Sequence, residues 1–287
     1  MKKYKKALTN TYQSIGIATP YWRPGEDFTI QVINSIKPRI KNGDIITISE
    51  KAISTASGNI IDENTIKAGS IARFLAKHWM HCVWGYVLGP VCHLRRKTIR
   101  RFRTYPLSEG GKHKQLAVRQ AGFSQALMHG SEGGIDGSNL PYSYVSLPLK
   151  NAQQLAMQIR QNIKNKLHFN VSVMITDTDK TYSIRNFHFT PRPDTIRGIH
   201  SGGGFPAYVA GRLLKLKQRA TPVATSDTGM DTEMALQVAD LANRARGFGA
   251  GRNVWDMAEN FDVPLTEVTW EMLDRVEHKP VVIVRRA

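Results

Sequence analysis

Three short segments of this 287-residue chain carry side chains that could handle phosphate and metal ions. The first, residues 132–139, reads EGGIDGSN and sets Asp136 and Asn139 among glycines. Glycines let backbone amides approach a phosphate closely, a carboxylate can hold a divalent cation, and an asparagine can bond a phosphate or ribose. An Asp-Gly turn between two strands explains the same residues without a ligand, and the segment alone favours that plainer interpretation.

The second segment, TDTD at 176–179, lies at the end of the apolar run VSVMIT. That run predicts a buried strand, and in α/β arrangements ligands gather outside the carboxyl ends of strands. A carboxylate such as Asp177 beside the Thr178 hydroxyl would suit Mg²⁺ or Mn²⁺ shared with nucleotide phosphates. An acidic turn that only ends the strand is the alternative, and the sequence supports the two interpretations equally.

The third segment is the glycine run at 201–204, which without a Walker lysine is better interpreted as a connector than as a phosphate cradle. The chain contains neither a GxxxxGK(S/T) nor a GxGxxG motif, which argues against P-loop and Rossmann nucleotide sites. Cysteines and histidines gather within 78–93, but no CxxC pair accompanies them, so packing is favoured over zinc binding.

The chain is strongly basic. Its formal net charge of +17 indicates a polyanionic partner such as a nucleotide, a phosphorylated coenzyme, a nucleic acid or an acidic membrane. Basic residues dominate the run from Arg95 to Arg119, yet Phe102 and Tyr105 are its only aromatic residues, so nucleic acid binding is disfavoured.

Localisation follows from cysteine usage and from the lack of a secretory apolar region after the basic start, which together predict a cytoplasmic protein. The stretch 78–94, HWMHCVWGYVLGPVCHL, contains no Lys, Arg, Asp or Glu, but it is shorter than a usual membrane span and contains Pro90. It predicts a buried or dimer-forming segment and no transmembrane helix. Contact with a membrane surface is the alternative.

Hydrophobic periodicity predicts an α+β protein, with helices packed on mixed sheets in two intimately associated subdomains. Residues 1–10 are interpreted as a basic tail, and 11–287 as one domain with a helical, basic insertion at about 62–122. Strands are predicted at 11–19, 44–49, 52–54, 59–61, 123–128, 171–176, 182–190 and 280–284. Helices are predicted at 27–36, 152–166, 232–246, 254–261 and 266–276.

Taken in order, several motifs resemble the coenzyme F-420 gamma-glutamyl ligase family. The resemblance runs from Ile15 to about Arg212 and continues more weakly to Arg286. The motifs are IATP at 17–20, GED at 25–27, GDIITISEKAIS at 43–54, GIDGSN at 134–139 and ITDT at 175–178.

The resemblance implies a ligase in which GTP phosphorylates a substrate carboxylate and the amine of L-glutamate then displaces the phosphate to form an amide. It implies that Asp136 and Asp177 are catalytic and hold Mg²⁺ or Mn²⁺, and it allows a further K⁺ ion. The residues implied to bind the nucleotide are Thr19, Pro20, Tyr21, Trp22, Glu50, Lys51, Asn139 and Thr178. The implied partners are GTP, L-glutamate, an anionic carboxylate acceptor such as an F-420 precursor, and a second copy in a homodimer.

Two departures from the family pattern indicate a divergent branch. Thr55 stands where the family usually has a lysine, and residues 246–252 read RGFGAGR where the family carries carboxylates near its metals. Folate gamma-glutamyl ligase activity and a non-catalytic, nucleotide-binding role therefore stay open as alternatives. The sequence does not name the acceptor.

Overall fold

A seven-stranded mixed sheet forms the centre of the protein, and the computed structural model describes residues 12–287. The strand order is β1-β9-β2-β5-β6-β7, with β8 also paired to β5, while β3 and β4 form a separate two-stranded sheet. Mixed sheets covered by helices confirm the predicted α+β class. Strands β1 to β9 span Tyr12–Thr19, Ile45–Ser49, Ile60–Asp62, Tyr144–Ser146, Ser172–Ile184, Phe187–Thr190, His200–Ser201, Lys217–Thr225 and His278–Arg286.

Helices connect and cover these strands. In chain order, α1 to α12 span Phe28–Ile36, Glu50–Ala56, Ser70–Phe74, Gly89–Val91, Arg96–Arg103, Leu107–Gln120, Phe123–Ala126, Ala152–Leu167, Phe205–Leu213, Thr232–Arg246, Val254–Phe261 and Trp270–Leu273. A π-helix at Leu75–Leu88 and a 3₁₀ turn at Glu63–Thr65 complete the helical elements of the described residues. The predicted tail, 1–10, and Thr11 lie outside those residues.

Strand β9 shows why the middle of the sheet is apolar at every position. Its residues Val281 and Ile283 pack in one core cluster, whereas Val282 and Val284 pack in another. Successive side chains of a strand point to opposite faces, so a strand covered on both faces alternates between two cores. Helices α1 and α8 cover one face of the sheet, and α10 covers the other.

The pairing of β2 with β5 fixes where a ligand can bind. These strands are parallel, from Ile45 opposite Ser172 to Ser49 opposite Thr176. Parallel neighbours need a crossover connection, and residues 50–171 supply it with α2 to α8 and the β3–β4 sheet. The residues that follow Ser49 and Thr176 therefore meet at one edge of the sheet, beneath that crossover.

Most predicted elements occur near their predicted bounds, but two predicted strands are wrong. Within 123–128, Phe123–Ala126 form helix α7, and 52–54 belong to helix α2. Both are apolar runs of only a few residues, for which periodicity cannot separate a strand from a helical turn. The predicted helix at 266–276 is only Trp270–Leu273, and the predictions omitted β4, β7, β8 and α9.

The apolar stretch at 78–94 lies mostly in the π-helix. Met80 and Trp84 are fully buried on one side of it, while Tyr86 and Val87 are exposed on the other. A dimer contact through this exposed side stays a prediction. Within residues 12–287, no helix combines the length and the apolar character needed to cross a membrane.

Candidate active site

A cavity of about 550 Å³ opens at the carboxyl ends of β2 and β5. Helices α5 and α6 of the crossover form its opposite wall, and the segment after α10 closes one side. A large concave pocket at this edge of a sheet is the usual place for a ligand. The cavity is lined chiefly by parts of the stretches 98–113, 128–145, 177–180 and 246–255.

A bulge in β5 presents the acidic segment to the cavity. The register between β5 and β8 shifts between Asp177 and Lys180, so Thr178 and Asp179 leave the regular ladder. The Thr178 backbone N–H donates to Asp177 Oδ1 at 2.6 Å, which fixes that carboxylate. The prediction that the strand ends at Thr176 is wrong, because β5 continues beyond the bulge to Ile184.

One buried guanidinium, that of Arg192, joins the carboxylates at the edge of the sheet. Arg192 is 1% exposed and lies 2.8 Å from Glu50 Oε2 and 3.7 Å from Asp179 Oδ2. It also donates through Nη1 to Asp177 Oδ2. Glu50 accepts in addition from the Leu149 backbone N–H at 3.0 Å, so it ties the base of the cavity to the crossover.

The protonation of these carboxylates differs with their neighbours. Burial opposes the charge on Asp177, but Arg192, the Thr178 N–H and Lys51 outweigh it and lower the pKa of Asp177. Burial and the adjacent Asp177 charge raise the pKa of Asp179 well above its ordinary value. Asp179 Oδ2 is buried and has no hydrogen-bond partner among the described residues. The bulge therefore holds one ionised carboxylate beside one that favours its proton.

The glycine-rich loop supplies the second predicted carboxylate, Asp136. Lys51 Nζ lies 2.6 Å from Asp136 Oδ2 and donates to the Ser138 hydroxyl at 2.7 Å. Asp136 Oδ1 also accepts from the Ser138 backbone N–H at 2.7 Å, which is the predicted Asp-Gly turn. Asp136, Lys51 and Asp177 all line the cavity, so the two predicted loops and the turn after β2 meet there.

Asn139 connects this loop to the segment after α10. Its Oδ1 accepts from the Ala250 backbone N–H at 2.6 Å and from the Tyr21 hydroxyl at 3.3 Å. A Cβ at Gly249 would lie only 2.5 Å from Asn139 Oδ1, so the close approach requires glycine. The side chain of Asn139 is therefore occupied by protein partners in this structure.

The remaining predicted nucleotide residues fall into two groups. Tyr21, Trp22 and Thr178 line the cavity, as do Lys51 and Asn139. Thr19 and Pro20 lie outside the lining and contact His278, which stacks on Tyr21 with 4.2 Å between ring centroids. Glu50 lies behind Arg192, at the base of the site, and does not line the cavity.

Thr55 stands where the resemblance implies a lysine. It is buried, lines the cavity and donates its hydroxyl to the Lys51 carbonyl at 2.8 Å. Thr55 therefore supports the helical turn that carries Lys51.

The opposite wall carries a buried, balanced set of charges. Lys114 Nζ lies 2.6 Å from Glu132 Oε1, and His113 bridges Glu132 and Glu63 at 3.2 and 2.6 Å. Burial opposes the charge on His113, but Glu63 and Glu132 outweigh it and raise its pKa to about 10. Two cations thus face two carboxylates, and this cluster is balanced in charge.

Replacing Gly134 by a larger residue is expected to destabilise the protein, because Gly134 faces Arg192. Its φ is +99°, and a Cβ there would lie 2.6 Å from Arg192 Nη1. Gly134→Ala should lower the free energy of unfolding by about 1–3 kcal/mol, measured by urea denaturation. Gly130→Ala is the control, because a Cβ at Gly130 meets nothing within 4 Å. Equal stability of the two variants would contradict the close contact.

Whether a divalent metal ion can bind at this site depends on the donor atoms of the residues that line it. Among residues 12–287, no group of three His, Cys, Asp or Glu side chains has the arrangement that holds a metal ion by itself. Asp136 and Asp177 both line one cavity, where Asp136 pairs with Lys51 and Asp177 with Arg192. Mg²⁺ commonly binds one or two carboxylates together with substrate phosphates and waters. The residues therefore fit a divalent cation that arrives with a nucleotide, and they do not form a closed cage.

The sequence analysis missed three charged residues of the site. Arg192 lies between two prolines after β6, Asp179 was named only as a neighbour of Asp177, and Arg246 was named only within a segment lacking carboxylates. The acidic TDTD segment points to Asp179 directly. Nothing local marks Arg192, because its partners are distant in the sequence.

Comparison with known proteins identifies a family for this chain. The family model described as F420-0:Gamma-glutamyl ligase matches residues 16–200. An uncharacterized protein of Methanocaldococcus jannaschii is 36% identical over 281 residues, which cover 94% of each chain. The Coenzyme F420:L-glutamate ligase of Methanococcus maripaludis is 30% identical over 164 residues, 57% of this chain and 59% of that protein. The matched region contains both carboxylate loops and Arg192. This chain belongs to the F420-0:gamma-glutamyl ligase family.

Proposed function

We propose that the protein is a GTP-dependent ligase that joins the amine of L-glutamate to a substrate carboxylate through an acyl phosphate. The observation that carries the proposal is the convergence of Asp136, Asp177 and Lys51 on one cavity at the carboxyl ends of parallel strands. The family and the named relative in Methanococcus maripaludis support a gamma-glutamyl ligase, with an F-420 precursor as the first acceptor to test.

Two chemical steps describe the proposed reaction. A carboxylate oxygen of the acceptor attacks the terminal phosphorus of GTP, the bond to the β-phosphate oxygen breaks, and GDP leaves. The neutral amine of glutamate then attacks the carbonyl carbon of the acyl phosphate, inorganic phosphate leaves, and the nitrogen loses a proton. Both steps concentrate negative charge on phosphoryl oxygens, so the site must supply fixed positive charge.

The residues of the cavity have matching roles in this proposal. Asp136 and Asp177 would hold Mg²⁺ or Mn²⁺, which neutralises phosphate oxygens when bound. Lys51, held against Asp136 at 2.6 Å, places a cation beside the glycine-rich loop. Arg192 keeps Asp177 ionised and oriented from below. The K⁺ ion stays a prediction, since no described contact bears on it.

The proposal is tested by product formation. Purified protein is incubated with GTP, Mg²⁺, L-glutamate and an F-420 precursor or reduced folate, and phosphate release and amide mass are measured. Asp177→Asn should slow amide formation by roughly 10²-fold or more, because it removes the cation's carboxylate. Asp194→Asn, at an exposed aspartate outside the lining, should leave the rate unchanged. Unchanged turnover in Asp177→Asn would refute the mechanism, and GTP binding without turnover by wild type would favour the non-catalytic alternative.

A further inference from the structure

Arg246 is the last residue of helix α10, and its side chain lines the cavity at the edge of the sheet. Its Nη2 donates to the Thr176 hydroxyl at 2.8 Å, immediately before Asp177 in the chain. Helix α10 packs across the face of the sheet through Ala235, Val238 and Ala239, so the core fixes the helix from whose end the Arg246 side chain projects. Arg246 also lies outside residues 16–200, the region matched by the family model.

The guanidinium of Arg246 has no acidic partner. No carboxylate oxygen of residues 12–287 lies within 4.0 Å of it, and its Nε is buried without a hydrogen-bond partner. Two arginines that are buried as whole residues differ in this respect, since Arg192 contacts Glu50 and Asp177, and Arg219 contacts Glu233 at 2.7 Å. The Arg246 cation therefore lines the cavity without a carboxylate partner, as Lys180 and the exposed Arg252 also do among the described residues, and it is the one of these three with a buried, unpartnered nitrogen.

Removing an unpaired charge partly from water costs free energy. Such a charge is therefore retained where a bound ligand of opposite charge pairs with it. Burial lowers the pKa of Arg246 to about 10, while Asp177 opposes that shift, so the group is still charged at neutral pH. The buried cluster of the opposite wall offers a contrast, because His113 and Lys114 already face Glu63 and Glu132. An incoming anion gains from a partly buried guanidinium that no carboxylate occupies.

The chemistry of that anion follows from the neighbours. A planar guanidinium matches the oxygens of a phosphoryl group in a two-point contact. Arg246 reaches the carboxyl end of β5 beside Asp177, where the proposed function places the cation that binds a triphosphate. We propose that Arg246 contacts the terminal phosphoryl group of the bound nucleoside triphosphate, the group that is transferred. This inference rests on the proposed function and adds a residue to it.

The inference predicts that Arg246 distinguishes a triphosphate from a diphosphate. Titration calorimetry with Mg²⁺ compares a non-hydrolysable GTP analogue with GDP. Arg246→Ala should weaken the analogue by roughly 10- to 100-fold, the usual effect of losing a charge-assisted contact, and should change GDP much less. Arg246→Lys should fall between, since it keeps the charge and loses the fork. Arg244→Ala, which removes an exposed arginine paired with Asp240 on the same helix, should match wild type for both ligands.

Several outcomes would overturn the inference. Equal loss for the analogue and GDP would show that Arg246 only supports the fold of the site. Unchanged affinity for the analogue, or a selective loss of L-glutamate binding, would give Arg246 no role toward the phosphoryl group, as would a wild type that does not prefer the analogue to GDP.

The test separates this inference from the proposed function. Amide formation by wild type together with an unchanged Arg246→Ala affinity would leave the ligase and remove the inference. An Arg246-dependent preference for triphosphate without any amide product would keep the inference and remove the ligase.

Discussion

Arg192→Met is expected to lower the free energy of unfolding by about 3–5 kcal/mol, because it removes the buried guanidinium that Glu50 and Asp177 share. Arg192 is 1% exposed and Glu50 3% exposed, so water cannot replace the lost guanidinium without opening the base of the site. Glu50 and Asp177 would be left side by side, each disfavouring the charge of the other. Urea denaturation at neutral pH, followed by tryptophan fluorescence, measures the loss.

The pH dependence of that loss tests its electrostatic origin. Without Arg192, the folded-state pKa of Glu50, already raised by burial, should rise further, and that of Asp177 should rise above its unfolded value. Carboxyl groups shifted upward destabilise the folded state above the unfolded pKa, so the gap between wild type and variant should narrow as pH falls from 7 toward about 4. A gap of constant size would indicate lost packing instead of uncompensated charge.

Arg219→Met is the matched control for Arg192. Arg219 is also buried, at 3% exposure, but its partner Glu233 is 41% exposed and can rehydrate when the pair is broken. Its loss should therefore be clearly smaller. A variant of Arg219 as damaging as that of Arg192 would show that any buried arginine, regardless of partner burial, gives the same result.

Part of the candidate site could be predicted from the sequence. Asp136, Asn139, Asp177 and Lys51 lie within short motifs, and the structure brings all four to one cavity. Their chemical roles stay predictions. The strand before Asp177 was predictable because four of the six residues of VSVMIT are apolar, but its continuation through the bulge depends on pairing with β8, which no local pattern encodes.

Long-range partners explain what the sequence did not reveal. Arg192 meets Glu50 across 142 positions of the chain, and Arg246 meets Thr176 across 70. Neither arginine lies in a motif, and both look like solvated charges in a chain of net charge +17. Only the folded crossover and the helix α10 packed on the sheet show that one is balanced by carboxylates and the other is not.

Breaking the Lys114–Glu132 pair in the opposite wall of the cavity should also lower the free energy of unfolding strongly. Lys114 is 0% and Glu132 2% exposed, with 2.6 Å between Nζ and Oε1. Lys114→Met should cost about 3–5 kcal/mol of unfolding free energy, because it leaves a buried carboxylate with less positive charge. Glu132→Gln should cost a similar amount, because it leaves the buried ammonium without its carboxylate. Urea denaturation measures both.

The double variant decides whether the pair acts as a unit. Combining Lys114→Met with Glu132→Gln removes both charges, so its cost should be well below the sum of the single costs. Arg244 and Asp240 form the exposed control, at the same 2.6 Å separation but with an arginine side chain 74% exposed, and each single change there should cost under about 1 kcal/mol. Additive losses at Lys114 and Glu132 would mean that packing, and not charge balance, holds the wall in place. Coupled losses would mean that this buried pair is electrostatically complete before any ligand arrives, so an incoming phosphate would be held by cations that lack a carboxylate, Arg246 among them.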